Sequence, residues 1–523
     1  MNRSGGSVAP AAIASRRMAP LLDVLGRRGR WVALASGLAL AAAFAPIGFA
    51  VLSIACPALL ILLWQDASPR EAAWRGALFT GGTFLAGTYW LYHSVHEIGH
   101  APLPVAIFLM LGLVVIMGAY SACLGWAVAR YAPRSGIARW MLLVPAGWVL
   151  IEWVRGWLFS GFPWLSLGYA HVDTPLRGYA PVLGVYGIGF AAAVSAGAIV
   201  TLFLGTRVSR IVAVSSMVVM WGAGAWLTRI EWTQPRDTAL SVALVQGAVP
   251  QTMKWETGQR ERTERLYLGL SRPYFGVDLV VWPEASIPAL AADLGEFLAS
   301  VRAEAAASGT ALIMGLIRND AATDAYYNAM VAWNPEQPGI EQWYAKRRLV
   351  PFGEVFPVPA AVRSWLKLMS LPYSDFEPGS DHQDALAVAG ERLAPTICYE
   401  DAYGTDQRRI VRNSTLLVNV SNDAWFGDST APHQHLDISR MRAIEAARPT
   451  LRATNDGITA LIGHDGRVLD TLPQFQPGVL AGRVTPRTGV TPYLRLGDAP
   501  VLMLIMAGIV AGLLVRRRTG TRA

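Results

Sequence analysis

Long apolar stretches separated by short polar segments occupy most of the first 230 residues and return once near the C-terminus. Seven precede a polar block and one follows it: about 31 to 47, 49 to 64, 74 to 92, 103 to 128, 140 to 158, 180 to 204, 211 to 228, and 499 to 515. Most approach the roughly 20 residues that a helix needs to cross about 30 Å of hydrocarbon. The pattern predicts eight membrane-spanning helices, with a tight hairpin between the first two.

Arginines in every second loop predict how these helices are oriented, because basic residues are retained on the cytoplasmic side. They are Arg16, Arg17, Arg27, Arg28, Arg30, Arg70, Arg75, Arg130, Arg134, Arg139, Arg207, Arg210, Arg516, Arg517, Arg518 and Arg522. We therefore expect a cytoplasmic tail at 1–30, a membrane domain with seven spans at 31–230 and a basic cytoplasmic tail at 516–523. The polar block at 232–495 then lies outside the cytoplasm.

The composition agrees with a membrane protein and changes the interpretation of the charge. The 523 residues are 53% apolar and 16% charged, with a mean hydropathy of +0.33, which is far from an ordinary soluble protein. Lysine and arginine exceed aspartate and glutamate by 45 to 37, a formal net charge of +8. Since the arginines follow the spans and form no basic stripe with aromatics, we expect no nucleic-acid partner. Three cysteines, two of them in predicted spans, imply no disulfide framework.

Short β-branched runs and amphipathic stretches alternate within the polar block. The predicted strands are Thr238 to Gln246, Asp278 to Trp282, Thr310 to Ile317, Tyr327 to Trp333, Leu393 to Cys398, Leu416 to Ser421, Thr459 to Gly463 and Val479 to Val484. The predicted helices are Arg260 to Leu270, Leu290 to Ala307 and Gln434 to Ala453. This order fits an α/β sandwich of two sheets with helices outside, although periodicity alone leaves other α/β topologies open.

Cys398 ends an apolar run and precedes Tyr399-Glu-Asp401, so we expect it where a strand turns sharply toward a helix. Such an elbow exposes the sulfur and aims backbone N–H groups at an atom bonded to it. A lone cysteine at a strand end is also compatible with an inert core position.

Glu284 and Lys346 lie in similarly dense motifs. Glu284 follows Trp282-Pro283, where partial desolvation would raise its pKa and suit a general base; it could instead cap the next helix. Lys346 lies between aromatics and a Pro-Phe-Gly turn, where a fixed ammonium could stabilise an oxyanion. It could instead be a solvated charge beside Arg347.

These three motifs, in this order, resemble the Glu-Lys-Cys triad of the nitrilase superfamily: Trp282-Pro-Glu284, Lys346 before Leu349-Val-Pro-Phe-Gly-Glu354, and Cys398-Tyr-Glu400. With seven spans before and one after, the chain beyond residue 30 resembles the apolipoprotein N-acyltransferases. Further matching motifs are Val245-Gln-Gly, Lys254-Trp255, Ser421 to Gly427, Met441 to Pro449, Arg155-Gly-Trp, Gly161 to Trp164 and Thr491-Pro-Tyr493. Ala248 and His464-Asp465 depart from the pattern without touching the triad. The resemblance implies a nitrilase-like αββα sandwich.

The resemblance also implies a two-step acyl transfer in the bacterial inner membrane, with the polar block facing the periplasm. Glu284 would deprotonate Cys398, whose thiolate would take a fatty acyl chain from a phospholipid, with Lys346 stabilising the oxyanion. The thioester would then pass the chain to the α-amino group of the diacylglyceryl-cysteine at the N-terminus of an apolipoprotein. The implied partners are therefore phospholipid and diacylated apolipoproteins, and no metal or other cofactor is needed.

Seven further residues take supporting positions in this interpretation. Glu354 and Glu400 would orient Lys346 or complete the hydrogen-bond network, unless they form structural salt bridges. Tyr399, Trp255 and Trp425 would line an acyl or lipid pocket. Trp365 and Leu368 belong to an apolar stretch ending at Tyr373, which we expect to be a mobile lid rather than an ordinary packed loop.

Three other functions compete with acyl transfer to an amine. A membrane-tethered amidohydrolase would use the same three residues with water as second nucleophile. His96-Glu97-Ile-Gly-His100 fits the H-E-x-x-H pattern of zinc proteases, but Gly99 and the following prolines break the helix that the pattern requires. A transporter would need polar groups along a path through the bundle, for which Glu152 and Arg155 are weak candidates.

Overall fold

The computed structural model describes residues 28–256, 258–351, 353–355 and 376–520. The chain forms two compact units. The first comprises the chain up to Tyr92, Ala101–Ile230 and the chain from Asp498, and the second comprises His93–His100 and Glu231–Gly497. The segment His93–His100 thus belongs to the second unit although its neighbours on both sides in the sequence belong to the first.

The first unit is helical, and each predicted apolar stretch is mainly helical. The principal α-helices cover 28–40, Leu52–Leu63, Pro69–Gly87, Leu103–Tyr131, Val144–Arg155, Ala180–Leu204, Arg207–Leu227 and Ala499–Gly520, and Ala138–Leu143 is a π-helix. Apolar positions run round these helices because their partners are other helices or lipid rather than water.

Four helices among the described residues are long and apolar enough to cross a membrane: Leu103–Tyr131, Pro175–Leu204, Arg207–Leu227 and Ala499–Arg517. The chain is therefore a membrane protein, but the predicted count of eight spans is not confirmed. Two of the remaining helices show why fewer than eight meet the requirements of length and composition. Leu52–Leu63 has only 12 residues, and Pro69–Gly87 carries Arg70, Glu71 and Arg75.

Glu152 and Arg155, the polar pair considered for a transport path, bond to separate partners within the first unit. Glu152 Oε1 accepts hydrogen bonds from the Trp148 indole at 3.0 Å and the Leu167 N–H at 3.1 Å. The Arg155 guanidinium donates to the Ser166 hydroxyl at 3.0 Å. Both side chains therefore hydrogen-bond within the helical unit, which is a structural role rather than the lining of a transport path.

The second unit contains fourteen strands among its described residues. They are β1 (Gln234–Pro235), β2 (Leu240–Gln246), β3 (Leu279–Val281), β4 (Ala311–Asp320), β5 (Ala325–Trp333), β6 (Glu341–Ala345), β7 (Leu386–Val388), β8 (Glu391–Ile397), β9 (Leu416–Ser421), β10 (Thr450–Thr454), β11 (Ala460–Ile462), β12 (Val468–Thr471), β13 (Gly478–Val484) and β14 (Arg487–Thr488).

These strands form two six-stranded sheets and one short pair. The first sheet has the order β13-β2-β3-β4-β5-β6 and the second β12-β11-β10-β9-β8-β7, while β1 pairs with β14. Gln259–Ser271 and Gly295–Ala306 pack on the first sheet, and Gly404–Arg412 and Ala431–Ala446 pack on the second. The predicted αββα sandwich is confirmed.

Neighbouring parallel strands set the position of the chemistry. β2, β3 and β4 run parallel in the first sheet, and β8, β9 and β10 run parallel in the second. Strand β3 is anchored by Trp282, whose indole donates to Ser271 Oγ at 2.9 Å and lies 5.2 Å from the Tyr267 ring. Pro283 and Glu284 directly follow this fully buried side chain. The core therefore fixes the position of the backbone that carries the Glu284 carboxylate.

One predicted helix is too long. The helix expected to reach Ala453 ends at Ala446, and Thr450–Thr454 forms β10 instead. Ala447 adopts a left-handed φ of +49° that terminates the helix, and Pro449 favours extended backbone before it. Strand β10 is buried on both faces, so its sequence shows no alternation that could reveal it. Strands β1, β6, β7, β12 and β14 were also not predicted.

Candidate active site

Three polar side chains singled out from the sequence follow strand ends that meet in one buried region. Glu284 follows β3, Lys346 follows β6 and Cys398 follows β8. Their exposed fractions are 6%, 1% and 7%. Ligands of open α/β sheets bind beyond the carboxyl ends of parallel strands, and this region lies at those ends.

Glu284 receives hydrogen bonds on both carboxylate oxygens. Oε1 accepts from Lys346 Nζ at 3.2 Å and from Asn328 Nδ2 at 2.7 Å. Oε2 accepts from the backbone N–H of Asn422 at 2.8 Å. The approach of neighbouring β4 requires glycine, because a Cβ at Gly315 would lie 2.2 Å from Pro283 O and 2.7 Å from Glu284 Cα. The carboxylate is therefore held by donors and by a tight backbone contact.

Lys346 lies between two carboxylates. Its Nζ is 3.2 Å from Glu284 Oε1 and 2.9 Å from Glu354 Oε1. Asn328 Nδ2 also donates to Glu354 Oε1 at 2.8 Å, so one amide connects both acids. Burial disfavours the charged ammonium, but the charges of the two glutamates outweigh it and hold the pKa of Lys346 well above its ordinary value. The lysine is a permanent cation here.

Cys398 occupies the expected elbow, but its side chain is buried rather than exposed as predicted. It begins the short 3₁₀ helix Cys398–Ala402 with φ +50°, a left-handed conformation that costs a non-glycine residue on the order of 1–3 kcal/mol. Burial, with the charge of Glu284, raises the pKa of the Cys398 thiol far above its ordinary value, while the charge of Lys346 acts in the opposite direction. The resting sulfur is thus a thiol, and reaction requires a base that removes its proton.

Glu354 and Glu400, the two expected accessory carboxylates, make different contacts. Glu354 touches Lys346 directly and accepts the Val350 N–H through its other oxygen at 2.8 Å. Glu400 is fully buried and accepts from the Tyr344 hydroxyl at 3.0 Å and from the backbone N–H groups of Arg347 and Ile397, both at 2.8 Å. Glu400 thereby links the chain after β6 to the elbow after β8.

The expected lipid-contacting side chains differ in exposure. Tyr399 is buried with its ring 5.2 Å from that of Tyr403. Trp255 and Trp425 are 58% and 39% exposed, which leaves their surfaces available to a ligand. Trp365 and Leu368, with the proposed lid, lie outside the described residues.

The H-E-x-x-H motif does not form the helix that a zinc protease uses. The π-helix His93–Ile98 ends before His100, whose φ is +52°, so the two histidines do not share a helical face. Glu97 pairs with His93 instead. Within the described part of the chain, no group of three or more histidine, cysteine or acidic side chains could hold a metal ion.

Two residues of this site were not predicted from the sequence. Asn328 bonds to both glutamates, and the Asn422 N–H bonds to Glu284. The available signal for Asn328 was a single amide inside an apolar strand, since polar groups in such positions need partners. Asn422 acts through its backbone and gave no residue-type signal.

The arrangement can perform acyl transfer through a covalent intermediate. A thiol, a carboxylate able to take its proton and a permanent cation lie together in a region shielded from water. Such a region strengthens electrostatic interactions with a developing oxyanion.

Comparisons with known proteins cover both units. A family model described as the apolipoprotein N-acyltransferase N-terminal domain matches residues 36–198, and one described as carbon-nitrogen hydrolase matches residues 241–493. The apolipoprotein N-acyltransferase of Methylococcus capsulatus is 40% identical over 93% of this chain and 96% of its own length. That of Azotobacter vinelandii is 39% identical over 95% and 97%, and that of Vibrio vulnificus is 35% identical over 91% and 95%.

Proposed function

The chain belongs to the apolipoprotein N-acyltransferase family, and on that premise we propose that it moves a fatty acyl chain from a phospholipid to the N-terminus of diacylated apolipoproteins through a thioester on Cys398. The assignment of catalytic roles to these residues rests on one observation. Lys346 Nζ lies 3.2 Å from Glu284 Oε1, beside the buried Cys398 elbow.

In the first step, Glu284 takes the thiol proton as the Cys398 sulfur attacks an ester carbonyl of the phospholipid. The sulfur–carbon bond forms, Lys346 stabilises the oxyanion, and the ester carbon–oxygen bond breaks. Glu284 returns the proton to the leaving oxygen, which departs as a lysophospholipid. The raised pKa of the thiol supports this order, because the proton must move during the attack rather than before it.

In the second step, the neutral α-amino group of the diacylglyceryl-cysteine attacks the thioester. The nitrogen–carbon bond forms, the carbon–sulfur bond breaks, and Glu284 passes a proton from the amine to the Cys398 sulfur. The product is an apolipoprotein with three acyl chains. A thioester is reactive enough toward an amine that no nucleotide is consumed.

The proposal includes a location. Eight spans with both termini in the cytoplasm would put the second unit on the periplasmic side of the inner membrane, where Trp255 and Trp425 could meet lipid. The alternation of basic loops supports this orientation.

The test is intact mass spectrometry of the purified full chain incubated with phospholipid alone, beside Cys398→Ser, followed by addition of a diacylated lipopeptide with a free N-terminus. We expect a fatty-acyl adduct on the wild-type protein, none on the variant, and transfer of the adduct to the peptide amine. A folded wild-type protein that forms no adduct would contradict the phospholipid donor.

The same experiment separates transfer from hydrolysis. An amidohydrolase with these three residues would release free fatty acid from the adduct without need of the peptide. The acyltransferase keeps the adduct until the amine arrives, and an N-acetylated lipopeptide of the same sequence, which lacks a nucleophilic amine, should leave it in place.

A further inference from the structure

A buried polar cluster lies behind the Cys398 elbow and has no part in the steps above. Its members, all within the second unit, are Asp401, Asp423, His435, Ser439 and Arg452. The side chains of the four ion-paired members are at most 4% exposed, and Ser439 is also buried. Arg452 donates to Asp423 Oδ2 at 2.9 Å and to Ser439 Oγ at 3.0 Å, and Ser439 donates to Asp401. Buried charges persist only when paired and hydrogen-bonded, and this cluster meets that condition.

His435 connects the cluster to the nucleophile. Its Nε2 lies 3.1 Å from the backbone carbonyl oxygen of Cys398, and its Nδ1 lies 3.0 Å from Asp423 Oδ1. A carbonyl oxygen can only accept a hydrogen bond, and an ionised carboxylate can only accept as well. The geometry is satisfied when both ring nitrogens carry hydrogen and donate.

Asp423 is an ionised carboxylate in this arrangement. Burial acts to raise its pKa, but the charges of His435 and Arg452 and the hydrogen bonds to the carboxylate outweigh burial and lower the pKa to about 2. Ser421 Oγ completes the set by donating to Asp423 Oδ1 at 2.9 Å. The close fit extends to Gly457, where a Cβ would lie 2.3 Å from Asp423 Oδ2.

The carbonyl that His435 holds belongs to a residue in an unfavourable backbone conformation. Cys398 has φ +50°, and this conformation turns its side chain off the end of β8. A hydrogen bond from a charged donor is stronger than one between neutral groups. A doubly protonated His435 ring would therefore hold the strained peptide more firmly than a neutral donor.

We propose that His435, kept doubly protonated by Asp423, is a positioning residue that holds the Cys398 carbonyl and thereby aims the sulfur at the acyl donor. The inference rests on the proposed function only in naming that donor. The predicted effect on thiol reactivity does not depend on which acyl group the enzyme carries.

The experiment compares His435→Ala and His435→Gln in the full chain. Gln can still donate to the Cys398 carbonyl, whereas Ala cannot. His433→Gln is the matched control, because His433 lies on the same helix and is only half-buried. All variants carry Cys123→Ser, which removes the exposed cysteine. Two rates are measured: alkylation of Cys398 by iodoacetamide, located by peptide mass spectrometry, and formation of the acyl adduct from phospholipid.

We expect His435→Ala to slow both rates by about 10- to 100-fold, the usual effect of losing one hydrogen bond to a charged group. His435→Gln should recover most of that loss, and His433→Gln should match the parent. The proposal is overturned if His435→Ala reacts as fast as the control, or if folded His435→Gln reacts as slowly as His435→Ala.

A spectroscopic measurement on the wild-type protein covers the case in which His435→Ala does not fold. With ¹⁵N-labelled histidine, the resonances that disappear in His435→Gln are assigned to His435. Both ring nitrogens should have shifts of protonated nitrogen at neutral pH, and a shift of unprotonated nitrogen at either position would overturn the proposal. If phospholipid forms no adduct even on the wild-type protein, the proposed donor is wrong, while the alkylation rates and these shifts still decide the role of His435.

Discussion

The backbone N–H of Asn422 donates to Glu284 Oε2 over 2.8 Å, and this bond joins the ends of two strands that belong to different sheets. Glu284 follows β3 of the first sheet, and Asn422 follows β9 of the second. The candidate base is therefore oriented by both layers of the sandwich. Because Oε2 is held by this N–H, Oε1 is left to Lys346 and Asn328.

Glu284→Gln tests the need for two accepting oxygens. Donors approach both Oε1 and Oε2, so the amide NH₂ of a glutamine would face a donor whichever way it is turned. It also cannot take the thiol proton. We expect formation of the Cys398 acyl adduct to fall by about 10²- to 10⁴-fold, measured by rapid-quench mass spectrometry. A loss smaller than tenfold would assign the base to another group.

Asn328 is predicted to matter as much as an accessory acid. Its amide donates to Glu284 at 2.7 Å and to Glu354 at 2.8 Å. Asn328→Leu removes both bonds, and we expect about a 10- to 100-fold slower acylation. Asn328→Asp should be slower still, because it adds a third carboxylate around one lysine.

Asn319→Asp on the neighbouring strand β4 is the control for the added charge, since Asn319 is only partly buried. It should acylate at the parent rate. Equal rates for Asn328→Asp and Asn319→Asp would contradict the role given to Asn328.

Lys346→Met should separate stability from chemistry. It leaves Glu284 and Glu354 buried without their cation, and removing one partner of a buried ion pair costs about 3–5 kcal/mol. We expect a lower melting temperature and a loss of acylation of at least about 10²-fold, because the oxyanion also loses its donor.

The double variant Lys346→Met/Glu354→Gln removes one of the two stranded charges. Its melting temperature should recover toward that of the wild type while acylation stays low. Recovery of acylation together with stability would mean that Lys346 acts only as a structural counter-ion.

The buried carboxyl group of Asp456 leads us to expect that the stability of the second unit depends on pH. Burial and the charge of Asp423 raise its pKa to about 7, although the nearby charge of Lys254 lowers it, and its Oδ1 is buried without a hydrogen-bond partner. A carboxyl group whose pKa is raised on folding stabilises the folded state at any pH below its unfolded pKa of about 4. This contribution is lost as the pH rises to the folded pKa of about 7.

The melting temperature of the wild type relative to Asp456→Asn should therefore fall between about pH 4 and pH 7 and then level off. The expected size is on the order of 4 kcal/mol, or about 5–10 °C. Asp470→Asn, at an exposed position, should show no such trend. A constant difference across this range would mean that Asp456 titrates normally.

The sequence was a good guide to Glu284, Lys346 and Cys398 because each follows an apolar run that ends in turn signals. It was a poor guide to Asn328 and to the Asn422 backbone, because their importance depends on neighbours that are distant in the chain. Strand β6, which delivers Lys346, escaped prediction for a local reason. Its residues Glu341–Ala345 form a short edge strand with weak alternation, and its aromatics resembled a loop that surrounds a cation.

The fold was predictable at the level of layers and less so at the level of elements. The strand predictions located five of the six strands in the first sheet but only three of the six in the second. Strand β10 is buried on both faces, so its sequence shows no alternation. In the first unit, hydropathy located the helices, but among the described residues only four helices are long and apolar enough to cross a membrane, so the count of eight stays unconfirmed. An apolar stretch in the sequence does not fix the length of the helix that contains it. Charged residues such as Arg75 make such a helix more polar without ending it.

The segment His93–His100 makes the second unit discontinuous in sequence, and this has a practical consequence for protein engineering. Ser94 Oγ donates to the Trp425 carbonyl at 2.6 Å, and the His93 ring packs against Gly427, where a Cβ would lie 2.1 Å from Nε2. A fragment cut to begin at residue 231 would leave this octapeptide behind with the apolar helices. The fragment would then expose the surface around Trp425 and Gly427 that the octapeptide covers in the intact chain, so crystallisation or inhibitor screening on it would start from an altered surface. Adding the octapeptide in trans, or grafting it through a linker, would restore the native boundary of the catalytic unit.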